Sequence, residues 1–257
     1  MTELPGTEPV PGLPAPSGLP CIPSGRRHAG VFIALEGGDG TGKSTQVALL
    51  AEWLTAHGIE TVLTREPGGT ELGVLLREAL LHGGEIDPRT EALLFATDRA
   101  HHVASLVRPA LEQGAVVVTD RYLDSSIAYQ GSARRLGREE VRQLSLWATY
   151  GLLPDLTIVL DMPPAAAAAR WKDGTQDRLE REAVDFHERV RTMFLTLAAE
   201  EPGRYQIVDA SDEPEAVHER VVAGVAGLLR ERGLAGERSP LGERGTLDEP
   251  DRPEVKP

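Results

Sequence analysis

Gly37-Gly38-Asp39-Gly40-Thr41-Gly42-Lys43-Ser44 fits the pattern G-x-x-x-x-G-K-[ST], and its flanks decide what it means. The apolar run Val31 to Leu35 precedes it, and Thr45 to Leu54 follows with helical spacing. Strand, loop and helix in that order are the context that separates a phosphate-binding loop from a chance glycine-rich turn. Glycines let the backbone curl so that successive N–H groups face an anion, and the helix behind adds the positive end of its dipole. In such a loop Lys43 reaches the terminal phosphates of a nucleoside triphosphate and Ser44 holds magnesium.

Outward from the loop, apolar runs alternate with helical periodicity. Strands are expected at Ile59 to Thr64, Ala115 to Thr119, Leu156 to Asp161 and Tyr205 to Asp209. Helices are expected over Glu71 to Leu81, Arg89 to Gln113 with a kink at Pro109, Asp124 to Gln130, Arg138 to Tyr150, Pro163 to Arg170, Glu180 to Glu200 and Ser211 to Arg230. With the first strand this makes a three-layer α/β P-loop NTPase fold around a five-stranded parallel sheet. In such sheets ligands bind beyond the carboxyl ends of the strands, so Asp120-Arg121, which follow the run Ala115 to Thr119, should emerge beside the loop.

Residues 1–28 hold seven prolines among Gly and Ser with no periodicity, and from about Gly236 charge and proline alternate without apolar spacing. Both ends are therefore expected to be disordered, leaving 29–235 as the domain. The chain carries 27 Lys and Arg against 40 Asp and Glu, a net charge of −13, which argues against binding nucleic acid through a basic face. No secretion signal or membrane-length apolar run is present, so a cytoplasmic protein without a membrane partner is expected. Cys21 is the sole cysteine, which excludes an intrachain disulfide. The adjacent His101 and His102 lack a third ligand at metal spacing and read as surface or interface residues.

A phosphate loop alone does not separate kinases from GTPases, motors or transporter ATPases. The chain contains no asparagine, so the guanine-reading N-K-x-D motif of Ras-type GTPases is absent, and it lacks the length of coupled motors. A small kinase with a second anion site remains. Glu36 to Thr45, Thr64-Arg65-Glu66-Pro67-Gly68-Gly69-Thr70, Phe95-Ala96-Thr97-Asp98-Arg99, Asp120 to Gly131 and Asp177-Arg178 resemble, in order and spacing over residues 30–230, the motif set of bacterial thymidylate kinases.

That resemblance implies a nucleoside-monophosphate-kinase-like fold with a small lid at about 171–179, and transfer of the γ-phosphoryl of ATP to dTMP with Mg²⁺. Gly37 to Thr45 would cradle ATP, with Ser44 and Asp120 toward the metal and Lys43, Arg121 and Arg178 catalytic. Arg121 and Arg77 would grip the dTMP phosphate, Phe95 would stack on thymine, and Arg99 would bond its carbonyl. Tyr129 would crowd the sugar 2′ position, Ser126 and Gln130 would line the same pocket, and Asp39 would contact the 3′ hydroxyl or a metal-bound water. Gly40 occupies the place where some relatives carry a loop arginine, so the lid must supply the transition-state cation; Arg178 is first choice, ahead of Lys172 and Arg170. The family is usually homodimeric, and Leu93, Val103 and Leu106 are candidates for the interface. Rival readings are a kinase for dUMP, UMP or AMP, and a nucleotide-binding regulator without turnover.

Overall fold

The computed structural model describes residues 28–170 and 176–234; the expected terminal arms, and lid residues 171–175 with Lys172, lie outside the described residues. Five strands, β1 (Val31–Glu36), β2 (Thr61–Arg65), β3 (Val116–Asp120), β4 (Leu156–Asp161) and β5 (Tyr205–Asp209), form one all-parallel sheet in the order β2-β3-β1-β4-β5. This is the expected α/β architecture. The chain leaves β1 toward one edge and later crosses from β3 to β4 on its other side, so a topological switch point lies at the carboxyl end of β1. Register pairs Leu35 with Asp120, which sets the end of β3 beside the phosphate loop.

Side chains alternate across a strand, and each face of the sheet accordingly has its own core. Val31, Ile33 and Leu35 of β1 pack with Leu50 and Leu54 of α1 (Lys43–Ala56) and with Val217, Val221, Val225 and Leu229 of α9 (Pro214–Glu231). Phe32 and Ala34 face the opposite layer, which holds Phe95 of α3 (Pro88–His102) and Phe186, Val190 and Phe194 of α8 (Val184–Glu200). Each such aliphatic or aromatic side chain contributes roughly 1.5–3 kcal/mol on full burial, so the two layers clamp β1 firmly. No helix among the described residues is long and apolar enough to cross a membrane.

The remaining helices are α2 (Glu71–Arg77), α4 (Arg108–Glu112), α5 (Leu123–Ser126), α6 (Arg138–Ala148) and α7 (Pro164–Ala168). The expected helix over Arg89 to Gln113 is interrupted by a π-helical turn at Val103–Val107 before α4, which starts at Arg108 and carries Pro109 in its first turn. Proline lacks an N–H and its ring crowds the carbonyl of the preceding turn, which the wider π-turn accommodates. Further π-helical turns extend α2 through Glu78–His82 and α5 through Ile127–Ala133. The helix expected from Glu180 begins only at Val184, because Asp177 Oδ1 accepts the N–H groups of Leu179 and Glu180 at 2.8 and 2.9 Å and fixes a turn there.

Candidate active site

At Gly37 the phosphate loop leaves β1 with φ +135°, and a Cβ there would sit 2.4 Å from the Leu160 carbonyl, so no side chain fits. Lys43 opens α1 and folds back over the loop, donating to the carbonyls of Gly37 at 3.2 Å and Gly38 at 2.6 Å. Burial and the neighbouring Arg121 push the Lys43 ammonium down to about 8, against the opposing pull of Asp120, Asp39 and Glu36. Ser44 Oγ donates to Asp120 Oδ2 at 2.9 Å, so one hydroxyl and one carboxylate oxygen meet where a phosphate-bound cation would lie. An oxygen pair of this kind suits Mg²⁺, which keeps waters and phosphate oxygens as its other ligands.

The second anion grip is the corner after β3. Arg121 takes φ +69°, unusual for a residue with a Cβ, and its N–H donates to Leu35 O at 2.9 Å. Buried Glu36 locks the corner by accepting from Tyr122 N at 2.8 Å, Ser125 N at 3.1 Å and Ser125 Oγ at 2.6 Å. Burial and nearby Asp124 push the Glu36 carboxyl up to about 7, despite those donors and Arg121. From this corner the Arg121 guanidinium reaches Gly37 O and Ser125 Oγ, each at 3.0 Å, the Tyr129 hydroxyl at 3.3 Å, and Asp39. Tyr129 donates to the other Asp39 oxygen at 2.7 Å. Although burial alone would raise the Asp39 carboxyl, Arg121, Lys43 and Tyr129 hold it below the usual carboxylate range.

Between the two grips lies a cleft of about 770 Å³. Asp39 to Gln46 form one wall, and Asp120, Arg121, Arg77, Phe95, Arg99, Ser126, Tyr129 and Gln130 also line the cleft. Gly37 and Gly38 stand behind this wall and contribute the carbonyls that hold Lys43 and Arg121. Arg77 donates to Pro67 O at 3.0 Å, which steadies its guanidinium at the cleft edge. Sequence reasoning missed Ala210 to Pro214 and Val217, which complete the lining. The signal was available, since this loop follows the carboxyl end of β5.

Arg99 is almost fully buried, with Nε on Glu66 Oε2 at 2.7 Å and its terminal nitrogens on Ser126 Oγ, Ser145 Oγ and Tyr122 O, each at 3.1 Å. His102 corrects the surface reading: it has no exposed area and bridges Glu66 Oε1 at 2.8 Å and Thr64 Oγ1 at 2.6 Å. Nδ1 faces the Glu66 carboxylate and Nε2 the Thr64 hydroxyl, so both ring nitrogens have a partner. The imidazole braces the loop after β2 and, through Glu66, fixes Arg99 at the cleft wall. An isolated pair of histidines gave no sign of this, because the carboxylate partner comes from another element.

Arg178 stands apart from the other expected site residues. The expectation placed it over ATP, but it is buried away from the cleft lining, with Nε on Leu80 O at 3.0 Å and an ion pair to Glu91 Oε2 at 2.6 Å. A fully buried Glu91 requires a cation close by, and that demand holds Arg178 in place. Arg170, third choice in the sequence, does line the cleft and donates to Ala210 O at 3.2 Å. Val103, expected at an interface, is instead a core residue, whereas Leu93 is 55% exposed.

With the geometry in place, comparison with known proteins gives one consistent outcome. A family model described as thymidylate kinase matches residues 35–221. A thymidylate kinase of Clavibacter sepedonicus is 62% identical over 191 residues, covering 73% of this chain and 90% of that protein. That of Leifsonia xyli subsp. xyli is 59% identical over 199 residues, covering 76% and 93%. In Desulforudis audaxviator the corresponding protein is 50% identical over 211 residues, covering 81% and 96%.

Proposed function

The chain belongs to the thymidylate kinase family and is an ATP-dependent kinase of dTMP, and on that premise we propose that Lys43 and Arg121 hold the donor and acceptor phosphates in line across one cleft. The observation that carries this reading is the pair of anion grips on adjacent strands, β1 and β3, joined by the Arg121 bond to Gly37 O. Such a site works by positioning and charge neutralisation. The attacking oxygen belongs to a phosphate monoester that is already largely ionised at pH 7, so no general base is required. Lys43, released from the Gly37 and Gly38 carbonyls, would bond the transferring phosphoryl group, while Arg121 and Arg77 would hold the dTMP phosphate. Asp39 and Tyr129 keep Arg121 aimed along the floor of the cleft. Ser44 and Asp120 are the residues that would hold Mg²⁺, whose positive charge would offset the negative charge of the bound triphosphate. Phe95, Ser126, Tyr129 and Gln130 would receive the thymidine.

Purified protein given ATP, Mg²⁺ and dTMP is expected to yield dTDP and ADP in equal amounts by anion-exchange chromatography. ADP formed without dTDP would describe an ATPase and defeat the reading.

For the transition-state cation on the lid side we propose Arg170, whose support is its place in the cleft lining. Arg170→Ala is expected to lower kcat by roughly tenfold to a hundredfold with dTMP binding little changed, the pattern of an interaction made in the transition state. Unchanged kcat in steady-state assays would remove Arg170 from that role.

We also propose a cytoplasmic homodimer. Support comes from the apolar side chains left on neighbouring surfaces of α3 and α6: Leu93 at 55%, Trp147 at 63% and, just past α6, Tyr150 at 75% exposure. Grouped large apolar side chains of this kind mark association surfaces. Sedimentation velocity should give a dimer for the natural chain and a monomer for Trp147→Glu; a monomeric natural chain at micromolar concentration would contradict the proposal.

A further inference from the structure

Glu91, in the first turn of α3, has no exposed area and receives donors from two separate segments. Gln130 Nε2 donates to Oε1 at 2.9 Å, Arg134 reaches both oxygens at 3.3 Å, and the Arg178 guanidinium pairs with Oε2 at 2.6 Å. Gln130 lines the cleft, on the π-helical turn Ile127–Ala133. Arg178 is pinned a second time by its backbone N–H on Leu81 O at 3.1 Å and its Nε on Leu80 O at 3.0 Å. Arg134 extends the set to Glu182 at 2.6 Å.

The neighbours of Arg178 explain what this anchoring is for. Asp177, Leu179 and Glu180 all line the cleft. Asp177 is close enough to Arg77 to support its charge, and Glu180 feels both Arg121 and Asp39. The segment that carries Arg178 therefore borders the two arginines expected to grip dTMP. A buried carboxylate with two guanidinium partners is a rigid junction, since pulling either partner away leaves uncompensated charge in the interior.

We propose that Glu91 is a positioning residue that joins Gln130 of the acceptor pocket to the 177–180 border through Arg178, so that Arg178 acts on dTMP binding by way of Glu91 rather than by touching ATP. The inference rests on the reading of this end of the cleft as the dTMP site. Glu91 accepts three hydrogen bonds and pairs with Arg178, and loss of either anchor frees one wall of the acceptor pocket. Among the described residues Lys43 and the phosphate loop, on which donor binding depends, share no hydrogen bond with this junction; donor binding should be spared.

The test is a double-mutant cycle with Glu91→Gln, Arg178→Gln and the combined variant, reading kcat, KM for dTMP, KM for ATP and the thermal midpoint. Each single variant should raise KM for dTMP by roughly tenfold to a hundredfold, as displacement of positioning groups does, with KM for ATP within about twofold. The combined variant should be no worse than the worse single, because both changes cut the same link. Multiplied effects, or a fall in kcat at unchanged KM for dTMP on Arg178→Gln, would overturn the proposal and return Arg178 to the transferring phosphate. Should the glutamine variants not fold, Glu91→Asp and Arg178→Lys keep the charges while shortening the reach, and the same split in KM is required of them. Natural enzyme that turns over ATP but shows no saturation with dTMP would defeat the reading of the pocket; saturable natural enzyme with unaltered variants would defeat the coupling alone.

Discussion

Arg121→Lys should lower kcat/KM for dTMP by roughly a hundredfold or more, the scale of losing an aligned donor in a phosphoryl-transfer site. The guanidinium makes a fork: one terminal nitrogen serves Gly37 O and Ser125 Oγ, and the other serves Asp39 and the Tyr129 hydroxyl. Its carbon also lies 5.1 Å from the Tyr129 ring centre, a stacked cation geometry. Lysine keeps the charge but presents one nitrogen, so it can neither bridge the phosphate loop to Tyr129 nor meet a phosphate with two parallel bonds. The loss should fall on both kcat and KM for dTMP, with KM for ATP least affected. Initial-rate kinetics over both substrates measure this, and a lysine variant within threefold of the natural chain would show that charge alone is what the corner supplies. The φ of +69° at Arg121 is retained in either case, because Leu35 O accepts the Arg121 N–H and Glu36 holds the backbone that follows it.

Lys43→Met should reduce kcat/KM for ATP by roughly 10²–10³, the usual consequence of removing one preorganised cation from developing phosphate charge. Lys43 is held on loop carbonyls, and bound phosphate oxygens would take over those bonds with better charge complementarity. A pH dependence follows from its depressed ammonium, at about 8 in the free protein. Below that value Lys43 is charged and competent; as pH rises through about 8 the free protein loses the charge and kcat/KM for ATP should fall. The profile of kcat alone should hold to higher pH, since bound triphosphate favours the charged form. The methionine variant should lack the alkaline decline assigned to this group; persistence of the same decline in that variant would assign it elsewhere.

The fold was legible because each strand is a short apolar run and each helix has an amphipathic stripe, so pattern and tertiary structure agree. β1, β3 and β4 sit between two helical layers and read as continuous apolar segments for that reason. The phosphate loop and the Asp120-Arg121 corner were legible because their chemistry is local to a strand end. Glu36, Glu91 and His102 were not. A buried ionisable residue looks like a surface charge in the sequence, and what distinguishes it is a partner far along the chain, as Arg178 is for Glu91. The surroundings of Arg178 were hidden for the same reason: the resemblance put it in the lid at about 171–179, while its pairing with Glu91 is tertiary. Glu36 did carry a usable sign, an acid ending a run of five apolar residues that the sheet buries completely.

The central claim is that one cleft takes ATP at the phosphate loop and dTMP at Arg121, and it is tested most directly by ADP release from ATP and Mg²⁺ across dTMP, dUMP, UMP and AMP. The account predicts the highest kcat/KM for dTMP, with the ribonucleotides weakest, since on the proposed reading Tyr129 would close the pocket where a 2′ hydroxyl would lie. A different monophosphate as the best acceptor, or saturable binding of dTMP without turnover, would contradict it.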